Sequence, residues 1–197
     1  QEITALQDRI ETMATERAVA GAGQGVLLAV AQLRDAALAG RPYAAQLDAL
    51  NALIDDDPDL RAAAAKLSAN AQNGLPTAGA LAGRFSEIAG DIVTAARASG
   101  DDWLQQAAVK LSSLISIRRT DGKSGDPVED AVADIEALLK DRNVVTAVER
   151  AMVLSDALPP QAKAVLEPWL LDAKARATAV RSLNAMHAAA LAGLEGK

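Results

Sequence analysis

The side chains able to do chemistry are few in this 197-residue chain, and none forms a reactive constellation. One histidine, His187, sits beside Met186 in an Ala-rich stretch, where it reads as a partly exposed helix residue. A Ser-His-Asp triad would have to use it, and neither a G-x-S-x-G nor an H-E-x-x-H pattern occurs. Cysteine is absent, which excludes thiol catalysis, disulfides and Cys-zinc sites. The cluster Asp55, Asp56, Asp57, Pro58, Asp59 could attract calcium. An EF-hand loop needs Gly at its sixth position and Glu at its twelfth, and counting from Asp55 gives Leu60 and Lys66. Asp57 as helix N-cap with Pro58 at the first helical position explains the cluster better. Gly21, Gly23 and Gly25 resemble a phosphate loop only in composition, because a helix precedes them and no Lys-Ser or Lys-Thr follows. A break in the helix is expected there. The remaining carboxylates are accounted for by caps, first turns and solvated faces. The sequence therefore implies no catalytic residues, no cofactor and no metal, and a chain that acts by binding and scaffolding.

The richest chemistry is interfacial. Trp103, Leu104, Ala107, Ala108, Leu111, Leu114 and Ile115 share one face at helical spacing. Lys110, Arg118, Arg119 and Lys123 set four cations against one anion, Asp121. A basic amphipathic helix carrying a Trp can lie at a lipid interface. The basic residues would contribute roughly 3–4 kcal/mol on an anionic surface before ordering costs. Trp103, Leu104, Lys110, Leu111, Arg118 and Arg119 are thus candidates for membrane contact. The same face could instead pack on Phe85, Ile88 and Ile92. Trp169 and Leu170, beside Pro168, are candidates for self-association, since aromatic anchors are enriched at interface centres. Filling the core of its own hairpin is the other role open to Trp169.

The elements that must position these residues are helices. Half the residues are hydrophobic and about a quarter are Ala, yet only Tyr43, Phe85, Trp103 and Trp169 are aromatic. Small side chains let helices approach closely but bury little area each, so thin packing is expected. Ile3, Leu6, Ile10 and Met13 follow a 3-4-3 rhythm, which fits an amphipathic helix or the tail of a coiled coil over 1–20. Further helices are predicted over 25–39, ending at Gly40, and from Pro42 through Leu47, Leu50 and Ile54. Others span 58–72, run from Thr77 along Leu81, Phe85, Ile88 and Ile92, and cover 103–118. The last three are 127–140, 144–158 and 160–194, with Pro168 kinking or restarting the final one. No segment alternates with period two long enough to be a strand. The expected fold is all-α: an elongated array of antiparallel helical hairpins, tetratricopeptide-like but without a fixed repeat period, of about nine helices. The polar stretch Thr120–Asp126 is the natural internal boundary, separating a hairpin region at 25–119 from a C-terminal unit at 126–197.

A net charge of −6 argues against nucleic acid. No apolar run is long enough to span a membrane. The first residue is Gln, so a fragment of a longer protein is expected, with any anchor upstream.

Four blocks together resemble the periplasmic part of alphaproteobacterial mitofilin homologues, bacterial relatives of the core subunit of the mitochondrial contact-site and cristae-organising system. They are Gly74-Leu75-Pro76-Thr77 with Leu81 and Phe85; Leu111 to Arg119; Gly125-Asp126-Pro127 followed by Ala131 to Leu139; and Pro168-Trp169-Leu170 with Ala173, Ala175 and Ala177. The resemblance covers roughly residues 25–197. It implies an inner-membrane helix and a coiled coil upstream, a periplasmic location, and a role in membrane organisation. It also implies self-association, contact with membrane lipids, and contact with outer-membrane assembly proteins. The scarcity of aromatics departs from mitochondrial members and puts their partner contacts in doubt. An alternative is a tetratricopeptide-like adaptor that binds a peptide in a concave groove.

Overall fold

The computed structural model describes residues 2–54, 57–99 and 126–195. Among these are seven α-helices, one 3-10 turn and no strand. The helices are α1 Glu2–Leu38, α2 Ala44–Asn51, α3 Pro58–Ala65, α4 Ala78–Arg97, α5 Pro127–Lys140, α6 Val144–Ala157 and α7 Pro160–Glu195. The described residues are all-α, as expected, and the expected count of about nine is not confirmed among them. The predicted helix at 103–118 lies outside the described residues. The predicted pair at 1–20 and 25–39 is one helix.

That merger corrects the expected break at Gly21, Gly23 and Gly25. Each interior glycine costs a helix about 1 kcal/mol relative to Ala, which weakens but does not stop it. A glycine stops a helix most effectively in the left-handed region, and among the described residues the positive-φ glycines are Gly40 and Gly74. Gly40 ends α1 as expected. Its N–H donates to the Ala37 carbonyl at 3.2 Å and that of Arg41 to Ala36 at 3.1 Å, the paired bonds of a Schellman turn. The next helix starts two residues later than Pro42 predicts, at Ala44, with Tyr43 as its N-cap.

The starts signalled by capping residues are in place. Asp57 accepts from the Asp59 and Leu60 N–H groups at 3.0 and 2.9 Å, with Pro58 in the first turn. Thr77 accepts from Ala80 N–H at 3.1 Å. The helix expected over 58–72 is shorter, giving way after Ala65 to the 3-10 turn Ser68–Asn70.

Pro168 lies inside α7 and the helix continues through it. Proline removes one N–H and crowds the carbonyl four residues back, that of Ala164. Both Ala164 and Pro168 are exposed, so water can take the freed carbonyl.

The chain forms two compact units, Gln1–Gly74 with Ala179–Lys197, and Leu75–Thr178. The divisions fall at Gly74 and Thr178. Among the described residues the helices are 37, 8, 8, 20, 14, 14 and 36 residues long, and the tetratricopeptide-like arrangement is not confirmed.

The first unit buries Val30, Leu33 and Ala37 of α1 with Leu47 and Leu50 of α2, Leu60 of α3, and Leu183 and Met186 of α7. Tyr43 is fully buried. Its hydroxyl donates to the Leu67 carbonyl and its N–H to Ala71, both at 2.8 Å, fastening the α1–α2 turn to the end of the α3 segment. Burial pushes the Tyr43 phenol above its ordinary pKa.

Candidate functional site

The second unit carries the surface of interest. Its core is one cluster from four helices: Leu81, Phe85 and Ile92 of α4, Val132 and Ile135 of α5, Val148 and Leu154 of α6, and Leu166, Trp169 and Ala173 of α7. Short connections at Asp141–Asn143 and Leu158–Pro159 join α5 to α6 and α6 to α7, which favours antiparallel neighbours. Ala is frequent in the α5–α7 part of this core, and the large packets come from Phe85 and Trp169. Their ring centroids lie 4.7 Å apart at 58°.

Ion pairs rim this core. Arg84 of α4 pairs with Asp172 of α7 at 2.6 Å, and Arg150 of α6 with Asp134 of α5 at 3.6 Å. Ser86 donates to Glu136 at 2.9 Å. Arg97, in the last turn of α4, contacts Asp126 at 2.9 Å and Glu129 at 2.7 Å. Asp126 is also the N-cap of α5, accepting from the Val128 and Glu129 N–H groups at 2.9 and 3.3 Å. Burial disfavours its charge, but the hydrogen bonds from Arg97 and those two N–H groups, with the guanidinium charge, outweigh that. They hold the carboxyl below the usual Asp range. The same contact raises the Arg97 pKa.

Trp169 and Leu170, the self-association candidates, are both in the core, at 2% and 5% exposure. The Trp169 indole donates to the Leu81 carbonyl at 2.9 Å. What the unit shows to solvent beside them is Leu171, 70% exposed, with Met152 across a shallow cleft of about 220 Å³. Lys163, Glu167 and Lys174 of α7 and Ser155 and Asp156 of α6 complete its lining. Sequence reading passed over Leu171 because neither its type nor its spacing tells which side of a long helix faces water. The membrane-contact candidates Trp103, Leu104, Lys110, Leu111, Arg118 and Arg119 lie outside the described residues. Phe85 and Ile92, the alternative packing partners for that segment, share the core cluster with α5, α6 and α7. No cluster of His, Asp or Glu suited to a metal occurs among the described residues. His187 is half-buried in α7.

The chain is 30% identical over 148 residues to the MICOS complex subunit mic60 of Talaromyces marneffei, covering 74% of this chain and 22% of that protein. It is 29% identical to the MICOS complex subunit MIC60 of Talaromyces stipitatus over the same length and shares. With that of Pyrenophora tritici-repentis it shares 29% over 136 residues, 68% of this chain and 21% of the relative. The chain belongs to the mitofilin family.

The matched stretch spans about a fifth of the length of these mitofilin relatives. No protein-family model matches the chain, and no solved structure matches it significantly. Mitofilin membership agrees with the absence of a reactive constellation in the sequence, because the relatives are named as subunits of a complex and not for a reaction. No helix among the described residues is long and apolar enough to cross a membrane.

Proposed function

We propose that this mitofilin-family chain is a non-enzymatic, membrane-organising scaffold domain that acts by self-association, membrane contact and partner binding. The observation that carries the reading is the similarity to MICOS complex subunits over about three quarters of the chain. The resemblance implies a place on the periplasmic side of a bacterial inner membrane, held by a segment outside this chain. Outer-membrane assembly proteins are the expected protein partners.

Membrane contact is assigned to the basic amphipathic stretch through Trp103, Leu104, Lys110, Leu111, Arg118 and Arg119. Local positive charge in an otherwise acidic chain supports this, since an anionic surface would select that stretch and repel the rest. The test is co-sedimentation with vesicles containing anionic lipid at low and physiological salt. Binding that weakens with salt, and weakens again in Arg118→Glu/Arg119→Glu with unchanged circular dichroism, supports the reading. Sedimentation unchanged in that double variant removes this stretch as the lipid site.

A further inference from the structure

The exposed face of α7 carries a charge-apolar-charge triplet. Glu167, Leu171 and Lys174 are spaced by four and three residues, so they stand on one side of the helix within two turns, all exposed. Leu171 is the most exposed large hydrophobic residue among those described, at 70%, and Met152 on α6, at 44%, extends the apolar surface across the cleft. Neither Glu167 nor Lys174 is in an ion pair among the described residues.

The order of the triplet selects an occupant. A helix laid against it in parallel with the same sequence would set Glu on Glu and Lys on Lys. A copy turned by a two-fold axis passing close to Leu171 sets Leu171 beside Leu171. It also brings each Glu167 within one residue of register with the opposite Lys174. A two-fold interface uses the same patch on both subunits, and this patch is complementary to itself only in the antiparallel sense. Opposite charges flanking an apolar centre fix register and orientation more than they add affinity. We infer that the α7 face centred on Leu171 is an antiparallel homodimer contact, with Met152 packing at its edge and two Glu167–Lys174 pairs setting the register. This rests on the self-association in the proposed function and names the surface for it.

Sedimentation equilibrium of the full 197-residue chain tests the contact. Wild type is expected to dimerise with rising concentration. Leu171→Asp, at a position too exposed to matter for the core, should weaken the dimer at least about tenfold while leaving circular dichroism and melting temperature unchanged. Glu167→Lys and Lys174→Glu should each weaken it by bringing like charges together, and the double exchange Glu167→Lys/Lys174→Glu should restore it. A dimer that survives Leu171→Asp overturns this surface and leaves self-association standing. Loss in both single variants without recovery in the double one overturns the antiparallel register. Monomer at every concentration overturns the contact and the self-association together, while the vesicle assay reports on membrane contact independently.

Discussion

The Nε1–H of Trp169 on α7 donates to the carbonyl of Leu81 on α4, with nitrogen and oxygen 2.9 Å apart, across 88 residues of sequence. One turn further along α4, the Phe85 ring meets the same indole at 4.7 Å. A single helical turn thus supplies both partners of the largest buried side chain, and a carbonyl with two lone pairs can serve its helix and the indole together. In a core with so many Ala residues, this contact joins the first and last helices of the second unit through their two large aromatic side chains. Trp169→Phe keeps the apolar ring and loses the donor, and should cost about 1–2 kcal/mol in urea unfolding. Trp169→Ala should cost roughly 3–5 kcal/mol. Equal losses in the two variants would show that the hydrogen bond, and not the ring, is the dominant contribution.

Asp126 joins a helix cap to an ion pair, and the two can be separated. Asp126→Ala removes both and should destabilise by about 1–2 kcal/mol at pH 7. Asp126→Asn keeps a capping oxygen and should cost less. The folded carboxyl titrates below its ordinary range, so its stabilising effect is present above the unfolded pKa, near 3.9. That effect is lost as pH falls through the depressed folded value. The stability gap between wild type and Asp126→Asn should therefore be constant from pH 7 to about 5 and shrink below about 4. A gap that does not change with pH would remove the charge from the explanation.

Two left-handed residues should respond in opposite ways. Arg142 closes α5 with φ 59°, its N–H and that of Asn143 donating to Leu139 and Leu138 at 3.0 and 2.9 Å. A side chain there carries a steric cost that glycine escapes, so Arg142→Gly should raise stability by about 0.5–1 kcal/mol. Gly74, at φ 77°, is the reverse case. A Cβ there would lie 2.6 Å from the Gly40 carbonyl oxygen and 2.9 Å from the backbone of Arg41. Gly74→Ala should cost roughly 3 kcal/mol from strain and overlap with atoms that cannot move aside. Differential scanning calorimetry of both variants checks the signs.

What the sequence made legible was local. Asp57-Pro58, Thr77 and Asp126-Pro127 announced helix starts because their side chains bond to the N–H groups two or three residues on. Gly40 announced a stop because the turn it makes needs a positive φ. The same logic failed at Gly21, Gly23 and Gly25. Glycine permits a stop without imposing one, and the neighbouring Ala18, Ala20 and Ala22 favour helix. Pro168 does not restart the helix, which continues through it, and both Pro168 and Ala164, four residues back, are exposed. Distant pairings were not legible. Arg84 with Asp172 and Arg97 with Asp126 are ordinary surface charges until the helices are brought together. Trp169 was visible as an anchor, but whether it anchors this protomer or another depends on which face of α7 the core claims. The core claims Trp169 and Leu170 and leaves Leu171 outside.

The proposed membrane-organising role of this mitofilin-family chain requires membrane contact and self-association in one molecule. Electron microscopy of anionic vesicles incubated with the full chain tests that directly. Wild type should cluster or deform the vesicles, and both Arg118→Glu/Arg119→Glu and Leu171→Asp should leave them separate and round, the first by loss of binding and the second with binding retained. Vesicles that bind wild-type protein yet stay dispersed and spherical at saturating coverage would contradict the account.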